Sequence, residues 1–306
     1  LIMSTYREIH GKAIKSVSTD PSATTDEGQI WYNTSSNTFK SIVNLESWSS
    51  GGPLSTGRYN LTGVGTNTAG LAFGGDTGPP PEVRRAETEE YNGSGWASTP
   101  NLNTARDLTA GFGIQTAAAT AGGRSSTGGF GTQTAGVACG GTPPTTNATE
   151  EYNGSAWTNG NNMNNSVSSL QSETAGTQTA GIRVAGYPNN NTIELYDGTN
   201  WTNSSGSLNT ARYAGSYQGS QTAGFYAGGE LYPPTAATDV TEIWDGTSMT
   251  TSPATLATIQ KYQSGSKGSP STAGWICGGQ TPAATNNTTT QEYNFSTTVI
   301  TADAYA

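Results

Sequence analysis

Thr88–Trp96 reads TEEYNGSGW and Thr149–Trp157 reads TEEYNGSAW, identical at eight of nine positions. Looser versions stand at Ile193–Trp201, IELYDGTNW, and at Val240–Ser248, VTEIWDGTS. Each copy sets β-forming residues on both sides of Asn92-Gly93, Asn153-Gly154, Asp197-Gly198 or Asp245-Gly246. Such pairs supply the positive φ angles of a two-residue hairpin turn, so each phrase predicts two tightly joined antiparallel strands. A hairpin written four times is part of a repeat.

The repeat is longer than the phrase. Its fullest copy, Leu208–Pro253, has four pieces in order. An Arg closes LNTAR (Arg106, Arg212) or LSTGR (Arg58), and a run of Gly and small residues follows, ending in a Gln-Thr or Asn-Thr turn. TAG then opens a short apolar stretch closed by Gly-Gly (TAGLAFGG, TAGVACGG, TAGFYAGG), and the aromatic phrase comes last. The small residues suit a strand packed closely on both faces. The unit is therefore a four-stranded antiparallel meander, A-B-C-D, recurring every 43–50 residues where complete. Such a unit repeated around an axis is a propeller blade.

Thr-Ala-Gly or Thr-Ala-Ala anchors begin at Thr68, Thr116, Thr134, Thr179, Thr222 and Thr272, which predicts six A-B hairpins. The 18 residues from Thr116 to Thr134 are too few for a blade. AGGR (Ala121–Arg124) runs from Gly-Gly straight into the next unit, so the C-D hairpin is missing there. Residues 28–42, GQIWYNTSSNTFKSI, read as a C-D hairpin with no A-B before it. Three places are open to it: the seam between the chain ends, the short blade, or a neighbouring subunit. The expected organisation is an extended leader over 1–27, a hairpin over 28–47, and an all-β propeller over 48–306 with about six blades, one incomplete.

Arg, then Gly-Gly, then an aromatic with Trp a few residues on, resembles the kelch repeat, whose family forms β-propellers. The resemblance covers roughly 48–306, and it departs from the pattern in a shorter Tyr-to-Trp spacing and in Ala185-Gly186 for the fourth doublet. The leader DPSATTDEGQIWYNTSSNTFK (Asp20–Lys40), followed by Thr-, Gln- and Gly-rich units, is similar in style to tail-fibre-type and other structural proteins of tailed bacteriophages. That resemblance implies a virion component that is not an enzyme, with host-surface glycan and other virion proteins as partners. The alternatives are a secreted or cell-surface scaffold and a degenerate carbohydrate-active enzyme.

Composition narrows the chemistry. Charged residues are 11% of the 306, against about 25% in a typical soluble domain, and the net charge is −9. This charge disfavours a nucleic-acid partner. No apolar run approaches the roughly 20 residues of a membrane span, and the first residues lack the apolar core of a signal peptide. The single histidine, His10, precedes the repeats. The copper oxidase chemistry known among kelch propellers, His-based triads and most zinc sites therefore have no basis here, and no cofactor is expected. LYDGTNW looks like an Asp motif of sialidase-type propellers, but Asn in the sister copies favours a turn. The Asn-X-Ser/Thr sites at Asn92, Asn153 and Asn200 read as turns for the same reason.

Glu89/Glu90 and Glu150/Glu151 invite an acid–base reading. Consecutive strand residues face opposite sides, so neither pair shares a site. Their recurrence beside Arg106 and Arg212 predicts structural Glu–Arg contacts instead. Cys139 and Cys277 both precede a Gly-Gly, occupy one position in two non-adjacent blades, and should be buried and free.

In an up-and-down blade the B-C and D-A connections share a face. Here that face carries the long, varied, Pro-rich segments, including 79–85, 142–147, 187–191 and 232–236. Function concentrates on loops held by a rigid scaffold. Arg84, Arg85, Tyr187, Asn189 and Tyr232 are the expected binding residues, Tyr for stacking on sugars and Arg for acidic groups. The leader, Met3–Glu27, is expected to pair as a strand with a neighbouring subunit or virion protein.

Overall fold

The computed structural model describes residues 14–21, 29–78, 83–168, 173–188, 191–233 and 235–302, and every regular element among them is a strand. The chain divides into two compact units, 1–46 with 295–306, and 47–294. Two long strands contribute residues to both.

In the first unit, β1 (Lys15–Val17) pairs in parallel with β2 (Ile30–Asn33), which pairs antiparallel with β3 (Thr38–Gly51). Asp20 ties the leader to this hairpin. Its Oδ1 accepts from Trp31 Nε1 (2.9 Å) and Asn33 Nδ2 (2.5 Å), and its Oδ2 meets Lys40 Nζ at 2.7 Å. The Lys40 ammonium, with these donors, lowers the Asp20 carboxyl to about 2. The described part of the leader, 14–21, thus pairs with its own chain, and the rest of Met3–Glu27 lies outside the described residues.

The second unit is a series of meanders. The first sheet orders β4 (Thr62–Gly65), β5 (Gly70–Phe73), β8 (Thr88–Tyr91) and β9 (Trp96–Thr99), with β6 (Asp76–Thr77) and β7 (Val83–Arg84) forming a small ribbon in its B-C connection. The second sheet has only β10 (Ala110–Ile114) and β11 (Ala117–Ala121), as the lost C-D hairpin required. The third holds β12 (Gly128–Thr132), β13 (Ala135–Cys139), β14 (Thr149–Tyr152) and β15 (Trp157–Asn159). The fourth holds β16 (Thr174–Thr177), β17 (Ala180–Val184), β18 (Thr192–Tyr196) and β19 (Trp201–Ser207). The connection ribbon β20 (Arg212–Tyr213), β23 (Glu230–Leu231) and β24 (Ala236–Ala237) brackets the fifth sheet: β21 (Ser216–Gly219), β22 (Gly224–Ala227), β25 (Thr241–Trp244) and β26 (Met249–Thr251). In the sixth, β27 (Ser264–Gly265), β28 (Ala273–Cys277) and β29 (Thr290–Ala302) are followed by β3 as fourth strand.

The first strands of these six sheets touch in a closed cycle: β4, β10, β12, β16, β21, β27 and back to β4. Glycine makes that approach possible. A Cβ at Gly111 would stand 2.2 Å from Thr62, and one at Gly129 2.8 Å from Ala110. At the connection end, Tyr262 N–H donates to Ala214 O (2.8 Å), Asn60 N–H to Tyr262 O (3.0 Å), and Leu108 N–H to Asn60 O (3.1 Å). All four residues have φ between 54° and 57°. That strain is tolerated because each joins one sheet to the next.

The aromatic hairpins form, with a turn other than the expected one. Tyr91 pairs with Trp96 and Tyr152 with Trp157, so each loop has four residues rather than two. Gly93 and Gly154 carry the positive φ, 91° and 93°. Asn92 Oδ1 accepts the N–H groups of Ser94 and Gly95 (3.0 Å each), and Asp197 Oδ1 those of Thr199 and Asn200 (2.8 and 2.7 Å). Asn and Asp interchange because either supplies that oxygen.

The Arg and Glu of the repeat meet inside the sheets. Arg58 lies 3.0 Å from Glu89, Arg212 pairs with Glu242, and Arg183, displaced to β17, lies 3.3 Å from Glu194, all six buried. In the sixth sheet, Gln291 Nε2 donates to Gln260 Oε1 (2.9 Å) in the corresponding place. Glu90 is exposed while Glu89 is buried, as strand alternation requires. Among the described residues Arg106 does not join a glutamate, and its sheet has no third strand to carry one. Cys139 and Cys277 are buried and free.

Candidate functional site

The connection face brings residues from distant loops together. The Tyr187 and Tyr232 rings lie 5.6 Å apart, edge to face, and Tyr187 lies 5.4 Å from Tyr213. Tyr213 in turn lies 6.4 Å from Tyr262. Beneath them the buried Glu230 carboxylate accepts from Tyr262 OH (2.7 Å), Tyr213 OH (3.0 Å) and Lys261 Nζ (2.6 Å). Burial alone would raise the Glu230 pKa. The Lys261 and Tyr262 hydrogen bonds outweigh it, and the group stays below the usual range. Burial, and then the bond to Glu230, raises the Tyr262 phenol. The inner pair is thereby fixed, while Tyr187 and Tyr232 remain 37% and 47% exposed.

The two arginines lie elsewhere on this face. Arg84 Nε stands 3.3 Å from Asp107, and Arg85 Nη2 lies 2.5 Å from Glu87. Asn189 lies outside the described residues. Arg84, Arg106 and Arg124, with Asp107, line a cavity of about 270 Å³ beside the two-stranded second sheet.

Tyr213, Glu230, Lys261 and Tyr262 were not among the expected site residues. Tyr213 follows the clasp residue Arg212, and Lys261-Tyr262 follow its counterpart Gln260. The repeat alignment thus held a signal for them. Among the described residues no three His, Cys, Asp or Glu side chains group as metal ligands, and no helix is long and apolar enough to cross a membrane.

These sheets define an all-β, propeller-like protein. No protein-family model matches the chain, and no curated protein does. Among solved structures it is similar to one described as "Structure of YjhT", with a TM-score of 0.60 at 9% identity, over 81% of this chain and 99% of that one. The likeness concerns the fold alone.

Proposed function

We propose that the chain is a kelch-like propeller of six blades, one cut to two strands, and that it is a non-enzymatic structural component of a phage particle. On the tail or capsid surface it presents its connection face to host-surface glycan. The six-membered cycle of first strands and the Arg–Glu clasps support the blade count and type. The leader and the composition support the particle.

One observation carries the binding role: the exposed Tyr187 and Tyr232 rings meet over a base pinned by Glu230. Tyrosine offers a rigid apolar face with a polar edge, suited to the alternating surfaces of a sugar ring. One such contact is weak, so adsorption depends on many copies per particle. A Tyr187→Ala/Tyr232→Ala variant with unchanged circular dichroism should lose signal on a glycan array and lower particle adsorption about tenfold. Full adsorption by that variant would remove the recognition role. Glycoside hydrolysis by the purified protein would replace it with a carbohydrate-active enzyme.

A further inference from the structure

The second sheet is open where every sister sheet is closed. β11 pairs with β10 on one edge and with no described strand on the other. Edge strands are ordinarily guarded by charge, proline or a bulge. This one reads Ala-Ala-Ala-Thr-Ala, half-buried throughout, with no such guard.

The sister sheets show what belongs there. The third strand's Thr takes the next sheet's Trp: Trp96 Nε1 donates to Thr290 Oγ1 (2.8 Å), Trp201 Nε1 to Thr149 Oγ1 (3.0 Å), and Trp48 Nε1 to Thr241 Oγ1 (3.0 Å). Its first Glu takes the Arg of its own sheet, as Glu89 takes Arg58. Its second Glu takes the next sheet's Tyr hydroxyl, as Glu292 takes Tyr91 and Glu151 takes Tyr196. Its closing carbonyl takes the next turn's Gln: Gln115 Nε2 donates to Tyr91 O, Gln178 Nε2 to Tyr152 O (3.2 Å each), and Gln221 Nε2 to Tyr196 O (3.1 Å).

Around the gap, all four receivers stand ready. Trp157 is 38% exposed against 6% for Trp201, and Tyr152 is half-buried where Tyr91 and Tyr196 are sealed. Gln133 is exposed. Arg106 is half-buried, its Nη1 holding Gly122 O (3.2 Å) much as Arg212 holds Gly228 O. Arg84, Arg106 and Arg124, with Asp107, line the cavity beyond the end of β11 at Gly122 and Gly123, and an apolar hollow of about 150 Å³ runs beside Ala118 between Leu71, Phe73 and Leu102.

We infer that the gap in the second sheet is a docking site for an acidic strand–turn–strand segment of a different polypeptide, carrying the pattern Thr-Glu-Glu-Tyr. The guest completes the sheet by main-chain pairing along β11, and its four residues meet Trp157, Arg106, Tyr152 and Gln133. The source is another chain because this chain's own copies, at 88–91, 149–152, 193–196, 241–244 and 290–293, are already third strands, and β2 of the 28–42 hairpin is paired on both edges by β1 and β3.

The probe is a fluorescent peptide with the sequence of residues 148–159, ATEEYNGSAWTN, titrated into the full chain. Saturable binding below about 1 mM is expected, with slowed amide exchange confined to Ala117–Ala121. Arg106→Gln in the protein, or Gln for the first Glu of the peptide, should each weaken binding about tenfold, and together little further. A variant with the same twelve residues inserted after Gly122 should fold with a higher Tm and lose binding in trans. The inference is overturned if the folded protein does not bind the peptide, or if Arg106→Gln binds it equally. Occupation by a uronic acid, or by a second copy of this chain, without peptide binding also overturns it.

Discussion

Two buried ionisable residues set the expected pH response. Glu173 is sealed between Tyr226 OH (2.6 Å) and the Gly215 N–H, and burial raises its carboxyl to about 8. Its folded pKa exceeds the unfolded one, so its contribution is complete below about 4.5 and is lost as pH rises toward 8. Glu173→Gln should flatten the fall in Tm between pH 5 and 8, with a gain of roughly 3 kcal/mol at pH 8. A fall as steep as in the native chain would show that Glu173 ionises freely. Lys267 has the opposite sign. It extends from the sixth sheet to Gly129 O of the third (3.1 Å), and burial lowers its ammonium to about 7. Its contribution is present above about 10.5 and is lost as pH falls toward 7. Thr174 Oγ1 also donates to Gly129 O (3.0 Å), so Lys267→Met leaves that carbonyl bonded. This variant should be the more stable at pH 6, and thermal melts from pH 6 to 10 would reveal the difference.

At the scale of the strand, the Arg–Glu clasp orders the first, fourth and fifth sheets more than it stabilises them. Glu242 holds Arg212 and also accepts the Asn209 and Thr210 N–H groups (2.7 and 3.1 Å), so the connection is pinned to the third strand. Removing one partner strands a buried charge. Glu242→Ala should cost about 3–5 kcal/mol in urea denaturation. The sixth sheet holds the same place with Gln260 and Gln291, whose Oε1 accepts Thr258 N–H (2.9 Å). The double change Arg212→Gln/Glu242→Gln should therefore cost under about 2 kcal/mol, because the neutral pair avoids the desolvation of two ions. A double variant as unstable as Glu242→Ala would show that charge itself is required. The turn glutamines act between sheets, and among the described residues Gln133 has no third strand beneath it.

For the whole second unit, stability depends on closing the ring of sheets. β3 supplies the last strand of the sixth sheet from the beginning of the chain, and Trp48 packs on Tyr293 (5.3 Å) and Phe225 (5.9 Å). Trp48→Ala should cost about 2–3 kcal/mol, less than a fully buried Trp because one side faces solvent. Trp157→Ala, at the gap, should cost under about 1 kcal/mol. Equal losses from these two variants would mean that the seam carries no special load. The two Trp positions are alike in the repeat, and only their surroundings separate them.

The sequence by itself determined the strands, their order within each sheet, the burial of Glu89 beside an exposed Glu90, the two free cysteines and the missing hairpin. Each is a consequence of short-range alternation and of a repeat about 45 residues long. It also pointed to Tyr187 and Tyr232, since loops with aromatic residues stand out from a regular background. The tertiary structure alone decided that these two meet, that Tyr213 and Tyr262 support them through Glu230, and that Arg84 turns to Asp107. It also decided that Arg106 has no glutamate and that β3 closes the seam. Those outcomes depend on which sheets become neighbours, through contacts that range from Arg84 with Asp107 to Trp96 with Thr290 across the seam. Local pattern carries no record of such contacts, because the same Arg, Trp or Gln is written whether or not the strand it receives is present.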